Sequence, residues 1–169
     1  FRVKDLDQHE AARLAEPLQA ICAERDVAFI VNDDVALAKR LKADGVHLGQ
    51  SDGDPREARE ELGRDVQIGV TCHDSRHLAM EAGEAGADYV AFGRFFASKT
   101  KPNAVTADTD LLVAARQQLR VPIVAIGGIT PDNGAALIAA GADYLAAIDG
   151  VFGQADVCTA AQGYAALFA

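Results

Sequence analysis

Short, continuously apolar runs alternate along the chain with longer stretches in which apolar and charged positions recur every three or four residues. The apolar runs at 28–31, 46–48, 66–70, 89–92, 122–126 and 144–148 read as β-strands covered on both faces, as parallel strands are. The stretches at 8–24, 35–43, 55–62, 75–85, 109–119, 131–140 and 156–167 are rich in Ala, Leu, Glu and Arg and read as helices. Asp7 and Glu10 stand at capping-box spacing at the start of the first.

A weak internal repeat runs through this alternation. "LKADGVHLG", "EAGADYVAFG" and "AAGADYLAAIDG" each carry a helix end, then Gly or Ala with Asp, then a strand. Glycine just past a helix ends it without steric cost. Repeated βα units predict an α/β fold with right-handed crossovers, either an open doubly wound sheet or a (β/α)8 barrel.

The polar residues favour the barrel. Each strand runs into a polar or glycine cluster: Asn32-Asp33-Asp34, Gly49-Gln50-Ser51-Asp52, Thr71-Cys72-His73, Gly93-Arg94, Gly127-Gly128 and Asp149-Gly150. In a barrel these ends share the face where such enzymes hold their sites. No G-x-G-x-x-G occurs, which leaves dinucleotide binding without support. The expectation is a single domain over residues 1–169, a (β/α)8 TIM barrel. Six strands plus a strand end at 1–3 fall short of eight, so the first βα unit and most of strand 2 are expected to lie outside this sequence.

Composition narrows the partners. The 169 residues are 50% hydrophobic and 24% charged, with formal net charge -9. A pI near 4.8 argues against nonspecific binding to nucleic acid or acidic membranes, since the long-range field repels polyanions. A small phosphorylated ligand can still meet a local cationic pocket. No apolar run approaches the roughly 20 residues of a membrane span, and no signal-peptide pattern is read. Three scattered cysteines, Cys22, Cys72 and Cys158, fit a reducing cytoplasm without a disulfide framework. Cys72-His73 with His77 could start a metal site, but no second Cys/His pair completes a tetrahedral set, and a surface turn leading into a helix is the plainer reading.

Candidate chemistry sits at the strand ends. Arg2 and Lys4, two apart, share one face if they end a strand, where they suit a polyphosphate; a solvated terminus is the alternative. Asp33 and Asp52 end consecutive strands, so their carboxylates would be neighbours able to share a proton or hold Mg²⁺; helix capping is the competing use. Gly127-Gly128 and Ile148-Asp149-Gly150 follow the last two strands, where backbone N–H groups in barrels bind phosphate; tight turns are the alternative. The stretch "AFGRFFASKTKPNA" at 91–104 concentrates Arg94, Lys99 and Lys101 in an otherwise acidic chain.

Four segments, "FIVNDDVALAKRLKADGVHLGQSD", "IGVTCH", "ADYVAFGRFFASKTKP" and "VPIVAIGGITPDNGAALIAAGADYLAAI", taken in this order resemble the thiamine phosphate synthase family. The resemblance implies a (β/α)8 barrel that couples a hydroxymethylpyrimidine diphosphate with a thiazole phosphate, giving thiamine phosphate and pyrophosphate by a dissociative, Mg²⁺-assisted route. It implies that Arg2, Lys4, Asn32 and Lys101 bind and stabilise the diphosphate, with Thr71 nearby. Asp33 and Asp52 would hold Mg²⁺, and Ser98, Thr100, Gly128 and Ile148 would contact the thiazole phosphate. Asp149 stands in that pocket where the family commonly has serine; its carboxylate would turn away or be balanced by Arg94 or Lys99. The loop at 96–100 carries fewer prolines than is usual, which implies greater mobility. A related thiazole tautomerase and a non-catalytic thiazole-phosphate-binding barrel are the competing readings. The implied partners are small molecules in the cytoplasm, with no nucleic acid or membrane, and homo-oligomerisation stays open.

Overall fold

The computed structural model describes residues 1–97 and 106–169. Six parallel strands follow one another in sheet order β1-β2-β3-β4-β5-β6: Ile30–Asn32, Gly45–Leu48, Gln67–His73, Tyr89–Phe92, Ile123–Ile126 and Tyr144–Ala146. Between and after them come α1 (Gln8–Glu24), α2 (Val35–Leu41), α3 (Pro55–Leu62), α4 (Arg76–Glu84), α5 (Thr109–Gln118), α6 (Pro131–Ala139), α7 (Asp149–Phe152) and α8 (Val157–Ala165). The fold class is α/β with a parallel sheet. No described helix is long and apolar enough to cross a membrane.

Two compact units are distinguished, residues 1–71 with 84–89 and residues 72–83 with 90–169. In the first, β1 pairs in register with β2, Val31 opposite Val46, and β2 with β3, Val46 opposite Ile68. Its core joins Val31, Val46, Leu48 and Ile68 to Ala12 and Ala15 of α1 and Leu37 of α2. Residues 1–4 alternate, with Phe1 and Val3 packed on this core and Arg2 and Lys4 exposed. The Asn32 N–H donates to the Phe1 carbonyl at 2.9 Å, the strand-end geometry expected of this segment. In the second unit, β4 pairs with β5 and β5 with β6, and Phe92, Leu112, Ile123 and Leu137 are fully buried.

The internal repeat has a physical cause. Asp44, Asp88 and Asp143 each precede a strand, and each carboxylate accepts the N–H that opens the preceding strand: Phe29 at 2.7 Å, Ile68 at 2.7 Å and Ile123 at 2.8 Å. The same three aspartates donate their own N–H back to the carbonyls of Phe29, Ile68 and Ile123. Each reciprocal pair pins the start of one strand to the residue ahead of a later one. Arg59 reaches Asp88 and the carbonyls of Gly63, Val66 and Gly86, while Arg116 spans both Asp143 oxygens at 3.0 Å. Two residues before these aspartates the chain turns through positive φ, at Gly86 (92°) and Gly141 (118°), with Lys42 (51°) in the corresponding place of the first repeat.

Most helix bounds match the sequence expectation to within two residues, and α1 begins on an Asp7 carboxylate that accepts from His9 N and Glu10 N. Two differences matter, at β3 and at β6. β3 runs on through Thr71 and Cys72 to His73, so Cys72 is buried inside a strand and not in a surface turn. Burial pushes its thiol up to about 12. His77, on α4, lies 3.4 Å from Glu81, and no cluster of three metal-ligating side chains occurs among the described residues. β6 ends at Ala146, and the one-turn helix α7 follows.

Candidate functional site

The carboxylate cluster lies in the first unit, at the ends of β1 and β2. Asp33 takes φ 69°, a left-handed conformation that aspartate tolerates better than most residues. That bend hands the capping of α2 to Asp34, which accepts from Leu37 N at 2.8 Å. Likewise Asp54, not Asp52, caps α3 by accepting from Arg56 N at 2.8 Å. Helix capping therefore does not account for Asp33 or Asp52.

The two released carboxylates are neighbours. The Asp33 carboxyl is held above the usual carboxylate range, first by desolvation and then by the Asp52 carboxylate beside it, while Arg2 and Lys4 pull the other way. Arg2 Nε lies 3.6 Å from Asp33 Oδ2, and Asn32 Nδ2 donates to Asp33 Oδ1. Asp52 is fixed from behind, its Oδ2 accepting from Gly49 N at 2.9 Å. A Cβ at Gly49 would lie 2.6 Å from that same oxygen, so any side chain there would push the Asp52 carboxylate off this seat. Two adjacent carboxylates, one of them resisting ionisation, are a donor set that a hard divalent cation relieves. Arg2, Lys4, Asn32, Asp33 and Asp52 thus meet at one place.

Thr71 is held by a different set of contacts. Its Oγ1 lies 2.8 Å from His47 Nε2 on β2, and His47 Nδ1 lies 3.1 Å from the Tyr89 hydroxyl on β4. The Thr71 carbonyl accepts from Gln50 Nε2 at 2.6 Å. Sequence reasoning gave His47 and Tyr89 no role; the available signal was a histidine set inside the apolar run 46–48.

In the second unit, Gly127 (φ 104°) and Gly128 (φ 64°) end β5. A Cβ on Gly127 would meet the Arg94 Cβ at 2.3 Å, and one on Gly128 the Ala97 carbonyl oxygen at 2.3 Å. Glycine is thus required here by close backbone approach as well as by φ. Phe96 N donates to the Gly127 carbonyl at 3.0 Å, and Asn133 on α6 ties Gly128 O to Thr130 N. Ile148 is the N-cap residue of α7, and Asp149 opens that helix exposed to solvent. The Asp149 Oδ1 lies where a Cβ on Gly153 would come within 2.5 Å, so the carboxylate leans along its own helix. Ser98, Lys99, Thr100 and Lys101, and with them the 98–100 part of the loop expected to be mobile, lie outside the described residues.

Residues 1–151 match the family model of thiamine monophosphate synthase. The chain is 67% identical over 167 residues to a thiamine-phosphate synthase of Erythrobacter litoralis, covering 98% of this chain and 78% of the relative. It is 55% identical over 169 residues to that of Azoarcus, covering 100% and 82%. Among solved structures it superposes with a TM-score of 0.88 on a thiamine phosphate pyrophosphorylase from Pyrococcus furiosus, at 31% identity over 98% of this chain and 79% of that one.

Proposed function

The chain belongs to the thiamine monophosphate synthase family, and on that premise we propose that the groups around Asp33 take up a pyrimidine diphosphate and assist its ionisation. It is a transferase that makes thiamine phosphate. The observation that carries the finer reading is the Asp33–Asp52 pair, freed from helix capping and flanked by Arg2, Lys4 and Asn32. In this reading the described strands are part of a single (β/α)8 barrel domain, and the enzyme works in the cytoplasm. The relatives give no support to the tautomerase or the non-catalytic barrel.

The division of labour follows from charge. Asp33 and Asp52 would hold Mg²⁺, which when bound supplies positive charge to the departing pyrophosphate. Arg2, Lys4, Asn32 and Lys101 bind the diphosphate oxygens. The charges of Arg2, Lys4 and Lys101 favour the dissociated state more than the bound substrate, because negative charge on the leaving group grows as the C–O bond breaks. The pyrimidine methylene becomes a resonance-stabilised cation, and the thiazole nitrogen attacks it. No protein nucleophile is needed. The chain's remaining task is to orient both substrates and exclude water.

The thiazole phosphate is assigned to Gly128, Ile148 and Asp149 through backbone groups, together with the Ser98 and Thr100 hydroxyls. The Asp149 carboxylate, leaning toward Gly153, does not oppose that assignment. The test is incubation of the full-length protein with hydroxymethylpyrimidine diphosphate, thiazole phosphate and Mg²⁺. Thiamine phosphate and pyrophosphate should form together and stop when EDTA removes the metal. Absence of both products would refute the proposal.

A further inference from the structure

We propose that Tyr89 is a positioning residue: it fixes which nitrogen of His47 carries the proton, and so commits the Thr71 hydroxyl to donate a hydrogen bond to the bound substrate. The proposal rests on the reading of Thr71 as a substrate contact.

The three residues sit on β4, β2 and β3, all within the first unit. The His47 and Tyr89 rings stack with centroids 5.5 Å apart and planes at 25°. Room for the tyrosine is built into β3: a Cβ on Gly69 would fall 2.0 Å from Tyr89 Cζ. Burial, with the nearby Asp88 charge, pushes the Tyr89 phenol up to about 12, so it is a neutral O–H.

Hydrogen-bond accounting sets the direction of the chain. A phenol O–H withdrawn from water is costly unless it finds an acceptor, and Tyr89 is half-buried. Among the described residues, the acceptor within reach of the Tyr89 hydroxyl is His47 Nδ1, 3.1 Å away. Accepting requires that Nδ1 carry no proton. In a neutral imidazole the proton then sits on Nε2, which donates to Thr71 Oγ1 at 2.8 Å. With Thr71 Oγ1 used as an acceptor from His47, its own O–H is left to donate. The group it suits is a lone pair, either a pyrimidine ring nitrogen or a diphosphate oxygen. With the other tautomer, Thr71 would spend its proton on His47 and present only lone pairs. Those would repel the same ligand atoms.

The experiment uses the full-length enzyme labelled with ¹⁵N in histidine. The ¹⁵N spectrum of His47 should show a bare Nδ1 and a protonated Nε2. Tyr89→Phe should give a mixture of tautomers and lower kcat/KM by about tenfold, the scale of one lost hydrogen bond to a polar ligand. Thr71→Val should cost as much or more. The Tyr89→Phe/Thr71→Val double variant should lose no more than Thr71→Val alone, because Tyr89 acts through Thr71. Thr71→Ser, which keeps the donor, should restore the dependence on Tyr89. A protonated Nδ1 in the wild type would overturn the proposal. So would losses that multiply in the double variant, the result expected if Tyr89 serves only the fold. Absence of turnover by the wild type would remove the proposed function instead, and the spectrum would still decide the tautomer.

Discussion

Asp143→Ala separates two uses of one carboxylate. Asp143 Oδ2 accepts from Ile123 N at 2.8 Å, and both its oxygens meet Arg116 Nη1 at 3.0 Å. Ile123 is fully buried, whereas the Arg116 side chain keeps 56% of its exposure. A hydrogen bond to a charged acceptor contributes about 1.5–3 kcal/mol. An ion pair this exposed contributes at most about 1 kcal/mol. The strand bond should therefore dominate, and the total loss should be about 2–3 kcal/mol. For a chain of this size that lowers Tm by roughly 5–10 °C. Arg116→Ala, which removes only the pair, should cost about 1 kcal/mol or less. Asp143→Asn keeps an acceptor and should fall between the two. Urea unfolding of the three variants, with m compared to confirm two-state behaviour, measures these values. The reasoning fails if Arg116→Ala costs as much as Asp143→Ala, or if Asp143→Ala changes stability by less than about 0.5 kcal/mol.

Other outcomes follow from the site. Gly49→Ala places a Cβ 2.6 Å from Asp52 Oδ2, a mobile side-chain end, so stability should barely change while the Mg²⁺ concentration for half-maximal rate rises about tenfold; an unchanged metal titration would contradict the role given to this turn. Lys101→Ala should lower kcat by ~10²-fold, the scale of one preorganised charge stabiliser, and a near-normal single-turnover rate would remove it from the reaction. Burial raises the Cys72 thiol from 9.0 to about 12, so the folded state holds that proton more tightly than the unfolded chain. The resulting stability is complete below pH 9.0 and is lost as pH rises toward about 12. Unfolding curves across that range should show the decline, and a thiol reagent near neutral pH should label the exposed Cys158 and spare Cys72.

The sequence by itself determined the element types. Continuous apolar runs and amphipathic stretches have different periods, and those periods survive without knowledge of any contact. It also held the repeat that places Asp44, Asp88 and Asp143, and the motifs that carry the family. It could not say what the repeated aspartates do, because their partners lie 15 and 20 residues away in sequence. Nor could it tell which of Asp33, Asp34, Asp52 and Asp54 cap helices. All four precede a helix, and the choice follows from the left-handed turn at Asp33 and the tight turn at Gly49. His47 and Tyr89 read as strand residues for the same reason. A hydrogen bond spanning 42 positions exists only once β2, β3 and β4 lie side by side. Local pattern fixes periodicity and turn chemistry, whereas side-chain proton order depends on distances that only the folded sheet creates.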